Sequence, residues 1–147
     1  SFRTPHDATD PVGYRIDTGR KRISVMTDIG SIDERLTEAV QQSDLLFIEA
    51  NYDPLMLEHG PYPRILKNRI TSDHGHLSNE DCGRAIFDLV SRGTMRFVLS
   101  HLSRENNFPD LAMDTVVRHL SGRGVDPRRD LQIQVARRQA PGDSVFL

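Results

Sequence analysis

Four short polar segments each close an apolar run: Pro5-His6-Asp7-Ala8, Thr27-Asp28-Ile29-Gly30, Gly75-His76-Leu77-Ser78-Asn79 and Ser100-His101-Leu102-Ser103. Imidazole and carboxylate placed where strands meet loops is how α/β proteins collect metal ligands at one sheet edge. A divalent metal takes neutral imidazole or ionised carboxylate donors at about 2 Å, and a hydrolase leaves one position open for water. His6, Asp28 and His101 offer such donors. Asp28 has two oxygens and can bridge a pair of ions that clamp one phosphate.

His76 precedes a predicted helix whose first N–H groups attract anions. As a general acid it would protonate a leaving alkoxide, which asks for a tuned pKa and a carboxylate partner, for which Glu49 is the candidate. Each residue alone has a plainer reading: His6 in a turn, Asp28 as a helix cap, His76 as a loop residue. It is their conjunction that points to chemistry. His59, His74 and His119 lack such a setting; His74 is expected on the exposed side of a turn and His119 on a solvated helix face.

The elements that must position these residues alternate. Val12–Asp17 and Arg22–Asp28 read as strands joined by the hairpin-length Thr18-Gly19-Arg20-Lys21. Ser31–Gln42 reads as a helix capped by Ser31, with Ile32, Leu36, Ala39 and Val40 near helical spacing. Asp44–Ala50 is an uninterrupted apolar run, as in a strand buried on both faces of a largely parallel sheet. Pro54, Gly60, Pro61 and Pro63 break the next stretch into a surface excursion, with a short basic helix over about Arg64–Ile70. Ser78 opens a helix with Asp81 in a capping-box-like position, an Ala85, Ile86, Leu89 and Val90 stripe, and Gly93 as its stop. Met95–Ser100 reads as a buried strand, Pro109–Leu120 as an amphipathic helix and Leu131–Val135 as a final strand. The tail 137–147 is expected to be peripheral. The fold class is α/β.

The 147 residues fit one domain, with 37 % hydrophobic and 27 % charged residues and a net charge of -2. No apolar stretch approaches the roughly 20 residues that cross a bilayer, so no membrane role is expected. A single cysteine, Cys82, cannot form an internal disulfide and suits a reducing cytoplasm. Because Ser1 stands where an initiator Met would, and His6 follows at once, the chain is expected to be the C-terminal part of a longer protein.

These motifs, with Ile48-Glu49-Ala50-Asn51-Tyr52-Asp53 and His101-Leu102-Ser103-Arg104-Glu105-Asn106-Asn107, stand in an order that resembles the metallo-β-lactamase superfamily, in particular its YycJ/WalJ-type branch, nuclease-like relatives of ribonucleases Z and J. The likeness spans positions 2 to about 112. It implies the C-terminal half of an αββα sandwich, a mixed sheet with flanking helices. It implies His6 as the third-motif ligand, Asp28 as the bridging carboxylate and His101 as the ligand of a second metal. His76 would assist the leaving group with Glu49 orienting it, and the cofactors would be two divalent ions, Zn²⁺ or Mn²⁺. The family's His-x-His-x-Asp-His run is not in the chain and is expected upstream of Ser1, so the fragment alone should bind metal poorly and be inactive.

Phosphodiester hydrolysis of DNA, as an exonuclease, is the expected activity, with nucleic acid as partner. Arg64, Lys67 and Arg69 cluster on the excursion helix near Tyr52 and Tyr62, a combination suited to phosphate contacts and base stacking, though such clusters are commonly solvated faces. Asn106 and Asn107 are expected to line a substrate channel. A small-molecule phosphodiesterase or thioester hydrolase of the same fold, or a non-catalytic remnant, are the competing readings. No oligomeric state is implied.

Overall fold

A computed structural model describes all residues, 1–147. Its centre is one six-stranded mixed sheet in the order β1 (Phe2–Arg3), β2 (Val12–Asp17), β3 (Arg22–Met26), β4 (Leu45–Glu49), β5 (Arg96–Ser100) and β6 (Gln132–Val135). The first three strands pair antiparallel and β3 to β6 run parallel. Parallel neighbours need crossovers. These are α1 (Glu34–Val40), the group α2 (Pro54–His59), α3 (Arg64–Ile70) and α4 (Asn79–Ser91), and then α5 (Pro109–Ser121).

Register explains which face each strand residue meets. Ser24 lies beside Leu46 and Phe97, and Met26 beside Ile48 and Leu99. Met26, Leu46, Ile48, Phe97 and Leu99 share one parity and pack into a single core with Leu36 and Val40 of α1, Ile86 and Leu89 of α4, and Val116 and Leu120 of α5. Each such side chain contributes about 1.5–3 kcal/mol on burial. The opposite parity carries Tyr14 and Ile16, each 55 % exposed, beside partly exposed Val25, Ile23 and Phe47. Helices therefore cover one face of the sheet.

Local chemistry sets the helix ends, not always where expected. Ser78 Oγ accepts from Asp81 N–H at the start of α4, and Gly93 (φ 91°) follows its end. The cap of α1 is Asp33, whose Oδ1 accepts from Leu36 N–H at 2.8 Å; Ser31 instead donates to Asp73 O. Strand β3 stops at Met26, so Asp28 lies two residues past it. β1 and α2 lie where the sequence pattern predicts no element. Pro54, read as a break, opens α2 at a position that needs no N–H, behind an Asp53 cap. His119 also departs from expectation: its Cβ and Cγ lie against Gly83 of α4 and its Nε2 is buried without a partner, so it sits between helices. Residues 137–147 form no strand or helix, and Arg138 Nη2 donates to Leu102 O at 2.7 Å.

Candidate metal centre

Five side chains converge beyond the C-terminal ends of the parallel strands. Asp28 follows β3, Glu49 ends β4 and His101 follows β5; His6 and His76 arrive on the loops after β1 and before α4. Backbone bonds lash these loops together: Gly30 N–H to Pro5 O at 2.9 Å, Asp7 N–H to His74 O at 3.0 Å and Asn51 N–H to Leu77 O at 2.9 Å. Two glycines permit the approach. A Cβ at Gly30 would stand 2.4 Å from Asp73 C, and one at Gly75 would stand 2.2 Å from Arg69 O. No side chain fits there.

Glu49 is the buried hub. Its Oε1 accepts from His76 Nδ1 at 2.7 Å and from His101 Nδ1 at 2.9 Å, while Oε2 accepts from Ile29 N–H at 2.8 Å. Burial pushes the Glu49 carboxyl up, but the hydrogen bonds from His101 and His76 outweigh it and hold the group below its ordinary range. The same bond raises His101 against the opposing effect of burial. His6 is fixed from another side, its Nδ1 donating to Gly75 O at 2.8 Å. All three imidazoles thus have Nδ1 engaged, which leaves Nε2 to act as a donor atom.

Asp28 Oδ1 lies 3.6 Å from His6 Nε2 and 3.6 Å from His101 Nε2. That separation is too long for a hydrogen bond and close to the ~3.4 Å edge of a tetrahedron with bonds of ~2.1 Å. Asp28 makes no other polar contact. Donor atoms of His6, Asp28 and His76 fall within 4.8 Å of one another, as do those of Glu49, His76 and His101. The first group fits a divalent cation and supplies no more than three ligands, whereas in the second the Glu49 carboxylate is spent on the two Nδ1 atoms. Asp28 and His101 also hold left-handed backbones, φ 54° and 56°, conformations that cost energy and collect at functional sites.

The predicted substrate residues divide. Arg69 reaches the centre: its Nη2 donates to Asp7 Oδ1 at 2.9 Å and its Nε to Asp7 Oδ2. That hydrogen bond brings the Asp7 carboxyl down to about 2. Arg64 and Lys67 project from the other side of α3 into a separate cleft of about 360 Å³ shared with Asn68 and Tyr52, where Lys67 Nζ donates to Glu58 O. Tyr52 is buried, and burial with the nearby Asp81 and Glu49 charges pushes its hydroxyl up to about 12. Asn106 and Asn107 do not line a channel. Both are buried, and Asn107 Nδ2 donates to Ala50 O, Asn51 O and Asn79 Oδ1, so its amide is spent on bracing the loop. The α4 start is also less free than expected, since Ser78 Oγ and Tyr52 O take the N–H groups of Asp81 and Asn79. Sequence reasoning missed Asp7, which lies 3.6 Å from His6 Nε2, and Asn51, whose Nδ2 donates to His101 O at 2.8 Å.

Residues 2–102 match the beta-lactamase superfamily domain. The chain belongs to the beta-lactamase superfamily. Within it the chain is similar to the exodeoxyribonuclease WalJ of Streptococcus pneumoniae serotype 2 strain D39, 42 % identical over 130 residues, 86 % of this chain and 48 % of that protein. It is also similar to the exodeoxyribonuclease YycJ of Bacillus anthracis, 35 % identical over 124 residues, 84 % of this chain and 47 % of that protein. The chain spans about half the length of these curated relatives. Among solved structures, the metallo-β-lactamase fold protein YhfI from Bacillus subtilis superposes with TM-score 0.63 at 18 % identity, covering 92 % of this chain and 44 % of that one. A diphosphatase of the PhnP family gives 0.52 at 18 % identity, covering 92 % and 38 %. The mixed sheet with helices on one face is therefore part of a metallo-β-lactamase fold.

Proposed function

We propose that this chain carries part of a dinuclear metal centre that hydrolyses DNA phosphodiesters from an end, the remaining ligands coming from residues outside it in the full-length protein. The observation that carries the reading is Asp28 Oδ1 at 3.6 Å from the Nε2 atoms of both His6 and His101. A carboxylate oxygen equidistant from two imidazoles suits a ligand shared by two ions. Supporting it, the relatives that the chain resembles are named exodeoxyribonucleases, and about half their length lies outside the match.

His6, Asp28 and His101 would hold the ions, Zn²⁺ or Mn²⁺ by their donor types. Bound divalent ions supply Lewis acidity and a water of lowered pKa. His76, tied through Nδ1 to Glu49, has Nε2 available to give a proton to the leaving oxygen. Glu49 touches no substrate; it positions both His76 and His101.

The test is hydrolysis of end-labelled DNA by the full-length protein after EDTA treatment and re-addition of Zn²⁺ or Mn²⁺. Metal-restored shortening of the strands from an end supports the reading. Cleavage of small phosphodiesters or thioesters with DNA untouched would instead establish the small-molecule alternative, and no metal-dependent hydrolysis of any of them would leave a non-catalytic protein.

A further inference from the structure

A recess of about 230 Å³ opens beside the metal centre, lined by His6, His76, Asn51, Tyr62, Leu66 and Arg69 among others. It is smaller than the ~300–1,000 Å³ pockets that bury whole drug-sized ligands, with room for a single base but not for a base pair. Its two walls differ in chemistry. Tyr62 sits between Pro61 and Pro63, which restrict its backbone, and packs on the small cluster of Tyr52, Leu57 and Ile70. The ring is half-buried and anchored from behind, the condition for a stacking platform. Arg69, which also lines the recess, presents a guanidinium fork already loaded with a carboxylate, that of Asp7. The fork that grips a carboxylate through two N–H groups grips a phosphate equally well.

Resting on the phosphodiesterase reading, we infer that this recess is a terminal-nucleotide subsite in which Tyr62 stacks an unpaired base while Arg69 exchanges Asp7 for a backbone phosphate. The strand end then enters single-stranded, and Asp7 acts as a placeholder that keeps Arg69 extended at the mouth. Arg64 and Lys67, on the other side of α3, take no part in it.

The experiment measures binding of a fluorescent, hydrolysis-resistant phosphorothioate single strand and a blunt duplex to the metal-loaded full-length protein across a salt series. The single strand should bind tighter than the duplex. Tyr62→Ala should weaken single-strand binding about tenfold or more and Tyr62→Phe should restore it, as expected where a ring stacks on a base. Should alanine loosen the fold, Tyr62→Leu keeps the apolar anchor without the ring and should show the same loss. Arg69→Ala should lower the slope of log affinity against log salt by about 1.

Asp7→Asn separates a phosphate-binding role from a merely structural pair. A structural pair requires Asp7→Asn and Arg69→Ala to weaken binding alike; the subsite requires Asp7→Asn to bind at least as tightly as wild type while Arg69→Ala binds less tightly. Equal binding by wild type, Tyr62→Ala and Arg69→Ala in a protein that still degrades DNA would overturn the subsite alone, as would duplex bound as tightly as single strand. A wild-type protein that neither binds nor degrades DNA would overturn the phosphodiesterase reading with it.

Discussion

Asp28 and His101 meet across 3.6 Å from two backbones that are both left-handed. The first follows β3 and the second follows β5, and β4 with Glu49 lies between them. Both side chains lie past the C-terminal ends of parallel strands, near the other candidate donors. For Asp this conformation is tolerated; for Ala it costs about 1 kcal/mol more than for Gly. Asp28→Gly and Asp28→Ala should therefore both abolish hydrolysis in the full-length protein, with Asp28→Gly more stable by about 1 kcal/mol in urea unfolding of the metal-free form. Retained turnover in either variant removes Asp28 from the mechanism.

Glu49→Gln keeps the shape of the hub and removes its charge. Two imidazole N–H groups then compete for one neutral carbonyl oxygen, so His76 and His101 lose their fixed orientation. Metal affinity, read by competition with a chromophoric chelator, should fall about 10–100-fold. His76→Ala should slow turnover with metal content near wild type, and loss of bound metal in that variant would make His76 a ligand.

The Glu49 and His101 shifts have opposite signs, which defines a pH window for the metal-free protein. Glu49 is lowered from 4.5, so its contribution is present above pH 4.5 and is lost as pH falls through the folded value. His101 is raised from 6.5, so its contribution is present below pH 6.5 and is lost as pH rises through the folded value. Urea unfolding in EDTA should show this ion pair contributing most between pH 4.5 and 6.5. Glu49→Gln should flatten the profile, and an unchanged profile would show that the pair does not form.

What was legible in the sequence was local. Leu45–Ile48 and Phe97–Leu99 read as buried strands because nothing polar interrupts them, and Ser78 with Asp81 announced the α4 start through a cap that spans three residues. Asp33 and Ser31 are both capping types, and only the turn geometry chooses between them. Pro54 signals either a break or a first helical turn, so α2 stayed hidden. Asp7 and Arg69 lie 62 positions apart, beyond any periodicity. The burial of Asn106 and Asn107 likewise depends on loops that meet only in the folded chain. The polar motifs pointed to His6, Asp28, Glu49, His76 and His101, and the structure brings them together; that Glu49 holds two histidines at once needed the register of β4 beside β5.

Asp28 would be the ligand that His6 and His101 share if the centre holds two ions. The most direct measurement is metal content per chain in the purified full-length protein by inductively coupled plasma mass spectrometry, for wild type and for Asp28→Ala, His6→Ala and His101→Ala. Wild type should hold two divalent ions, with His6→Ala and His101→Ala each weakening one of them and Asp28→Ala weakening both. Wild-type metal content in all three variants would contradict it.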